Sequence, residues 1–296
     1  MASPSDLAGQ RVLVTGATGF TGRYVTAAFA EQKCEIIPFV SETGGNVDLV
    51  DRHAVARAIA SSKPDIVVHL AAIAFVAHGD AEEIYRTNIV GTRNLLESLA
   101  SLERRPSHVL IASSANVYGN TEGCLDEQSP PAPVNDYAVS KYAMELMARQ
   151  FASDLPMTIV RPFNYTGVGQ SERFLIPKIV CSFKRRDARL ELGNLDVSRD
   201  FNDVRDVAAS YVRLAGLVGR GKVVNLCSGQ AHSLMGVLTM MQNISGHHPE
   251  VVVNPAFVRS NEVKTLVGDP GLLRSLVGDV PNHGLLETLK WMYLHD

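Results

Sequence analysis

A tyrosine and a lysine lie four residues apart in the segment from Tyr137 to Lys141. On a helix this spacing places the phenol and the ammonium on one face, one turn apart. A neighbouring cation favours the phenolate, so Lys141 is expected to lower the pKa of Tyr137 toward the working pH. A tyrosine tuned in this way can act as a general acid or base.

Three glycines upstream form a second pattern, in which Gly16, Gly19 and Gly22 run from the end of a short β-branched strand into the first turn of a helix predicted from Thr21 to Gln32. Glycine tolerates the backbone angles of a tight turn and lets the chain approach a ligand closely. The N-terminus of the following helix favours a phosphate. This order of strand, turn and helix predicts a bound dinucleotide coenzyme, NAD or NADP.

A third motif, Ser113-Ser114-Ala115-Asn116-Val117-Tyr118-Gly119, lies between the other two. Together, in this order, the three motifs resemble those of the extended short-chain dehydrogenase/reductases that act on nucleotide-sugars, and the resemblance covers nearly the whole chain. Within that family the chain is similar to the GDP-4-keto-6-deoxy-D-mannose reductases. The segments that carry this narrower likeness are Arg161 to Asn164, Gly167 to Gln170, Asp196 to Val204 and Asn225 to Gln230.

The resemblance implies a role for each motif. Ser114, Tyr137 and Lys141 would form a catalytic triad, in which Tyr137 exchanges a proton with the sugar hydroxyl or ketone. Lys141 would hold the nicotinamide ribose, and Ser114 would bond the reacting oxygen. The residues implied around the coenzyme are Gly16, Thr18, Gly19, Phe20, Thr21, Gly22, Asp48, Leu49, Leu70, Ala71, Ala72, Asn88, Tyr137, Lys141 and Pro162. Those implied around the nucleotide-sugar are Ser114, Asn116, Asn164, Arg199, Arg259 and Glu262.

Several of these residues have a simpler structural interpretation. Ser114 and Asp48 could each cap a helix, and Ala71 could be a packing residue like its neighbour Ala72. Arg259 could be a solvated surface residue. The family's arginine at the position of Arg199 meets the pyrophosphate, and a guanidinium suits this contact because its fork gives two parallel charge-assisted hydrogen bonds.

The two residues after Ser114 separate the possible reactions. Dehydratases of the family carry an Asp-Glu pair, or at least a Glu, within these two positions to protonate and remove a sugar hydroxyl. Here the positions hold Ala115 and Asn116, and neither can carry a proton. We therefore expect an NAD(P)H-dependent reductase of a nucleotide-linked 4-keto-6-deoxyhexose, with GDP as the favoured nucleotide. The alternatives are a 4-epimerase with tightly bound NAD and a non-catalytic coenzyme-binding sensor.

The choice between NAD and NADP stays open at this point. A carboxylate about 20 residues past the glycines would bind the ribose diol of NAD, whereas an arginine would suit the 2′-phosphate of NADP. Glu42 lies one or two positions late for this role, and no Lys or Arg occurs between Lys33 and Arg52.

The elements that must position these residues alternate between strands and helices over the first two-thirds of the chain. Strands separated by helices predict an α/β fold, a Rossmann-type doubly wound parallel sheet covered on both faces. The predicted elements include a strand from Cys34 to Val40, a strand from His108 to Ala112, and helices from Ala81 to Leu102 and from Tyr137 to Ser153. Ligands of such sheets bind beyond the carboxyl ends of the strands, where the glycine turn, Ser114 and Asn164 fall.

We divide the chain into a coenzyme-binding domain at residues 1–162 and a mainly substrate-binding region at 163–296. The segment from Phe163 to Phe174 is rich in Gly, Asn, Thr and Ser and is predicted as loop. Val223 to Leu226 is expected to return to the main sheet as a buried strand.

Composition limits the other function classes. The 296 residues are 46% apolar, and the net charge of −3 gives no strong field for nucleic acid or an anionic membrane. The four cysteines, Cys34, Cys124, Cys181 and Cys227, have no metal-ligand spacing and fit a reducing compartment. We expect a cytoplasmic protein without signal peptide, membrane span or metal site, and the resemblance implies a homodimer.

Overall fold

A six-stranded parallel sheet forms the centre of the protein in this computed structural model, which describes residues 7–41, 44–74, 80–217, 221–258 and 263–295. The strand order across the sheet is β10-β6-β4-β3-β1-β2. These strands are β1 (Arg11–Thr15), β2 (Glu35–Ile37), β3 (Ile66–His69), β4 (His108–Ala112), β6 (Met157–Pro162) and β10 (Lys222–Leu226). The chain order reverses beside β1, as in a doubly wound sheet, so the predicted α/β fold is confirmed.

Helices cover both faces of this sheet because its strands are apolar on both faces. The helices packed on the sheet are α1 (Phe20–Glu31), α2 (Arg52–Ser62), α4 (Thr92–Ala100), α5 (Asp136–Ala148), α7 (Val204–Ala215) and α9 (Gly271–Val277), and α3 (Ala81–Tyr85) packs against α5. One core contains Phe29 of α1 and Tyr211 of α7 against Val12 and Val14, and the other contains Leu95 of α4 against Leu13 and its neighbours.

A second region is formed mainly by the chain that follows β6, together with one short strand from before it. Its larger sheet joins β5 (Cys124–Leu125), β7 (Asn164–Thr166), β9 (Ser198–Asp203), β11 (Ala231–Ser233) and β13 (Thr265–Gly268). A smaller parallel pair consists of β8 (Arg189–Leu192) and β12 (Glu250–Val253). The helices α6 (Leu175–Arg185), α8 (Leu234–Ser245) and α10 (Leu285–Leu294) pack around a separate apolar core that includes Phe183 and Leu289.

Three predicted elements differ from the structure. The second strand is short and ends at Ile37, because Pro38 has no N–H to donate to a sheet. The helix expected from Ala81 to Leu102 ends at Ala100 and contains six π-helical residues, Arg86–Gly91, between α3 and α4. The helix expected to run to Ser153 ends at Ala148 and is followed by a 3₁₀ turn at Arg149–Phe151.

The segment predicted as loop after Phe163 contains the strand β7, which pairs with β9. β9 is itself a strand that the sequence pattern did not predict. Val224 and Asn225 of β10 lie beside Val160 and Arg161 of β6, so this strand stands at the edge of the main sheet. The division of the chain at residue 162 stays a prediction.

Parallel strands bring their carboxyl ends to one edge of a sheet. At this edge the chain leaves β1 into the glycine turn, β3 toward Leu70, β4 toward Ser113 and β6 toward Phe163. The motifs found in the sequence therefore meet along a single edge of the sheet.

Candidate active site

The glycine turn after β1 is too tight for side chains. Gly16 has a φ of +73°, and a Cβ added there would lie 2.9 Å from the backbone nitrogen of Ala71. A Cβ on Gly22 would lie 2.1 Å from the carbonyl oxygen of Gly16. The helix α1 starts at Phe20 with no acidic residue in its first turn and no side chain capping it. Its N–H groups and positive dipole thus fit an anionic pyrophosphate, as the predicted coenzyme requires.

A buried hydrogen-bond chain fixes the segment after β3 against this turn. The backbone N–H of Ala71 donates to Thr15 Oγ1 at 3.2 Å, and that hydroxyl lies 2.7 Å from His69 Nδ1. The other ring nitrogen of His69 lies 2.8 Å from Thr92 Oγ1. Burial lowers the pKa of His69 to about 3, so its ring is neutral. Leu70, Ala71 and Ala72 follow as a half-buried segment beside the glycines.

Asn88 joins the same segment to the helix of the tyrosine and lysine. Its Oδ1 accepts from the backbone N–H of Ile73 at 2.9 Å, and its Nδ2 donates to the Ile73 carbonyl at 3.2 Å. Nδ2 also donates to Ser140 Oγ at 3.0 Å, and Ser140 in turn donates to the carbonyl of Tyr137. A buried amide needs such partners. Asn88 therefore links the segment after β3 to α5, and it does so from within the π-helical stretch Arg86–Gly91.

In the loop after β2, Asp48 and Leu49 both make hydrogen bonds within the protein. Asp48 Oδ1 accepts from the backbone N–H of Val50 at 2.9 Å, which forms a local turn. The alternative that Asp48 caps a helix is wrong, since the cap of α2 is Asp51. Leu49 is buried and its carbonyl accepts from Asn94. Contacts of Asp48 and Leu49 with an adenine stay predictions, and Glu42 lies outside the described residues.

Tyr137 and Lys141 stand one turn apart on α5, as the spacing predicts. The helix start is fixed by Asn135, whose Oδ1 accepts from the backbone N–H of Ala138 at 2.9 Å. Lys141 Nζ donates to the carbonyl of Ala112, the last residue of β4, at 2.8 Å. The ammonium lies 6.0 Å from the centre of the Tyr137 ring. Both side chains are buried at the carboxyl end of the sheet.

The expectation that Lys141 lowers the pKa of Tyr137 is wrong for this protein. Burial raises the pKa of the phenol to about 12, although hydrogen bonding with Ser114 opposes the rise. Burial likewise lowers the pKa of Lys141 to about 8, against the charge of Glu145. Desolvation is the largest cause of both shifts, because loss of water penalises the charged form of each group. Tyr137 is therefore a protonated phenol throughout the neutral range.

Ser114 lies immediately after β4 and does cap a helix, as the structural interpretation allowed. It precedes a 3₁₀ helix at Ala115–Tyr118, and its Oγ accepts from the backbone N–H of Asn116 at 3.1 Å. The side-chain Nδ2 of Asn116 also donates to this oxygen, at 3.0 Å. Capping does not remove Ser114 from the site, because its hydroxyl is close enough to the Tyr137 phenol to act against the rise in the pKa of Tyr137.

A buried ion pair beneath these residues was not predicted from the sequence. Glu145, one turn beyond Lys141, accepts from Arg161 Nε at 2.8 Å and from Arg161 Nη2 at 2.6 Å. Glu145 also accepts from Ser113 Oγ at 2.5 Å. Arg161 donates further to the hydroxyl of Tyr118 at 3.0 Å. The pair thus joins β4, α5 and β6 directly behind Ser114. In the sequence, only the i, i+4 spacing of Lys141 and Glu145 indicated that Glu145 lies on the same helix face as the site.

On the substrate side, Asn164 and Arg199 lie on β7 and β9 of the second region. The carbonyl of Asn164 accepts from Asn202 Nδ2 at 3.0 Å, which fixes its backbone. Arg199 is 8% exposed, and its Nη1 donates to the carbonyls of Ser198 and Lys264. These bonds hold part of the guanidinium, and a phosphate contact stays a prediction.

Of the other predicted positions, one lies at the carboxyl edge of the main sheet and two lie outside the described residues. Pro162 ends β6 beside Leu226 at the carboxyl edge. Arg259 and Glu262 lie outside the described residues. Within the part of the chain that the structure describes, no His, Cys, Asp and Glu residues cluster as metal ligands do, and no helix is both long and apolar enough to cross a bilayer.

Comparison with known proteins agrees with this site. Residues 12–227 match the model of the NAD dependent epimerase/dehydratase family. A GDP-6-deoxy-D-talose 4-dehydrogenase of Aggregatibacter actinomycetemcomitans is 36% identical over 91% of this chain and 92% of its own. A GDP-6-deoxy-D-mannose reductase of Pseudomonas aeruginosa is 32% identical over 95% of both chains.

A solved structure shows the same architecture. The structure of RMD from Pseudomonas aeruginosa complexed with NADPH has a TM-score of 0.87 at 30% identity, and covers 97% of each chain. The glycine cradle of this chain fits the same kind of dinucleotide. The protein is an NAD(P)-dependent oxidoreductase of the short-chain dehydrogenase/reductase type that modifies nucleotide-sugars, and it belongs to the NAD dependent epimerase/dehydratase family.

Proposed function

We propose that this enzyme reduces the C4 ketone of a nucleotide-linked 4-keto-6-deoxyhexose, GDP-4-keto-6-deoxy-D-mannose in particular. One observation carries the proposal. A protonated phenol, Tyr137, stands beside Ser114, while the next two positions hold Ala115 and Asn116 instead of an acid. The site can supply one proton to a ketone oxygen but has no carboxylate there to expel a hydroxyl as water.

Tyr137, Ser114 and Lys141 have different roles in such a reduction. Tyr137 donates its proton to the oxygen that forms at C4, and a general acid in this role contributes about 10²–10⁴ in rate. Ser114 donates a hydrogen bond to the same oxygen as negative charge develops. Lys141 keeps a positive charge next to the phenolate that Tyr137 becomes. When bound, the reduced nicotinamide supplies the hydride.

The two GDP-sugar relatives support the same ketosugar. 6-Deoxy-D-talose and 6-deoxy-D-mannose differ only in configuration at C4, so oxidation of either at C4 gives one 4-ketone. One relative is named for oxidation of the talose form and the other as a reductase of the mannose series. A C4 ketone linked to GDP is thus the shared chemical species, and the C4 configuration of this enzyme's product is left to experiment.

The test supplies purified enzyme with GDP-4-keto-6-deoxymannose and either NADH or NADPH. We expect loss of the reduced nicotinamide absorbance with formation of a GDP-6-deoxyhexose, identified at C4 by NMR. The two coenzymes in parallel settle the preference between NADH and NADPH. If neither is consumed, and C4-epimeric sugars interconvert without added coenzyme, the enzyme is an epimerase and the proposal is wrong.

Two expectations are separate from the reaction. The homodimer implied by the resemblance remains a prediction that light scattering of the purified protein can test. A cytoplasmic location likewise remains a prediction, which fractionation of the native cells can test.

A further inference from the structure

The hydroxyl of Ser114 receives two hydrogen bonds from a single residue. The backbone N–H of Asn116 donates to Ser114 Oγ at 3.1 Å, and the Asn116 side-chain amide donates at 3.0 Å. A serine hydroxyl has one proton to donate and two lone pairs that accept. With both lone pairs engaged by Asn116, the only direction left for Ser114 is donation.

We propose that Asn116 is a positioning residue that keeps the single Ser114 proton available for donation, to Tyr137 in the empty site and to the reacting oxygen when substrate is bound. The proposal rests on the proposed C4 ketone chemistry. A ketone oxygen that gains negative charge needs donors, and a Ser114 proton turned elsewhere would leave one of them missing. Asn116 itself need not touch the substrate, which distinguishes this role from the substrate contact predicted from the sequence.

The turn that carries Asn116 is fixed by hydrogen bonds and packing of its backbone. Val117 is fully buried, and its carbonyl accepts from the backbone N–H of Ala132 at 2.9 Å. Gly119 closes the turn with a φ of +60°, and a Cβ there would meet the Ala132 carbonyl oxygen. The Asn116 carbonyl accepts from the Gly119 N–H at 3.0 Å. The backbone donor of Asn116 is therefore fixed at Ser114, and the same turn places the side-chain amide within reach of that hydroxyl.

The role of Asn116 can be tested with aspartate, because aspartate has nearly the same shape as asparagine but the opposite hydrogen-bonding role. An ionised aspartate carboxylate in its place accepts only, so it would draw the Ser114 proton away from Tyr137. The test is therefore the Asn116→Asp variant, with Asn116→Ala as the variant that removes the side-chain donor without adding an acceptor. The matched control is Asn120→Asp, which places the same charge at an exposed position four residues on.

We expect Asn116→Asp to lower kcat by about 10²–10³, the effect of losing one oxyanion donor. Asn116→Ala should lose no more than about tenfold, since the backbone donor remains and only one ordinary hydrogen bond is lost. KM, coenzyme affinity and melting temperature should change little in both. Asn120→Asp should retain the wild-type rate. A rise in KM at constant kcat, or equal losses for the two Asn116 variants, would overturn the proposal.

The kinetics use GDP-4-keto-6-deoxymannose if the wild type reduces it, and otherwise a C4-epimeric UDP-hexose pair. A wild type inactive on the ketosugar refutes the proposed function and not this inference. A second readout needs no substrate: neutron crystal structures of the wild type and Asn116→Asp, which locate the deuteron of the Ser114 hydroxyl. We expect this deuteron to point toward the Tyr137 oxygen in the wild type and toward the introduced carboxylate in the variant. A deuteron that still points toward Tyr137 in the variant would refute the inference.

Discussion

The burial of the ion pair between Glu145 and Arg161 determines how much stability we expect the protein to lose when one of the two charges is removed. The Glu145 side chain is 0% exposed and that of Arg161 2%, and two short hydrogen bonds join them. The Glu145→Gln variant keeps the volume but leaves the guanidinium without its counter-charge. Removing one partner of a buried pair costs about 3–5 kcal/mol. We expect a loss of this size in urea unfolding followed by circular dichroism.

Two control variants separate the missing charge from general disruption. Ser113→Ala removes a single donor to the same carboxylate and should cost only about 1.5–3 kcal/mol. The double variant Glu145→Gln, Arg161→Met removes both charges, so it should recover much of the stability that the single variant loses. Equal losses in the single and the double variants would show that the charge itself contributes nothing.

The same variant should change the pH dependence of catalysis. Burial lowers the pKa of Lys141 to about 8, while the charge of Glu145 acts to raise it. Because the protonated lysine is the active form, kcat should be constant below about this pH and fall as pH rises through the Lys141 pKa. Without the Glu145 charge the fall should begin at lower pH. An unchanged stability together with an unchanged alkaline limb would refute the role given to Glu145.

Three further predictions follow from the site. Tyr137→Phe should lower kcat by about 10²–10⁴ in the reductase assay, with coenzyme affinity by fluorescence unchanged; near-normal turnover would refute the mechanism. Arg199→Ala should weaken GDP binding about ten- to a hundredfold, the worth of a hydrogen bond to a charged group, while NAD(P)H titrations stay the same; equal losses for both ligands would make Arg199 structural. GDP-mannose with NAD should yield no 4-keto-6-deoxymannose by mass spectrometry, since Ala115 and Asn116 cannot carry a proton, and its appearance would indicate a dehydratase.

The sequence was sufficient wherever function depends on local backbone geometry or on spacing within one element. Gly16, Gly19 and Gly22 predicted a tight turn, and the positive φ of Gly16 and the contact of Gly22 with the Gly16 carbonyl are local, whereas the contact of Gly16 with Ala71 exists only in the folded chain. The spacing of Tyr137 and Lys141 predicted their shared helix face, and Ser114 was placed at a strand end. These features depend on residues within a few positions of each other, so they can be read without the fold.

Contacts between residues distant in the chain become visible only in the folded protein. Glu145 meets Arg161 and Ser113 across three elements, and Asn88 reaches Ile73 through a π-helical stretch that no local pattern marked. The protonation state of Tyr137 likewise depends on the folded structure. Spacing along a helix predicts attraction between the phenol and Lys141, but the packing around both determines their desolvation. Desolvation is the larger effect because low-dielectric surroundings penalise the charged form of each group, and only the folded chain supplies those surroundings.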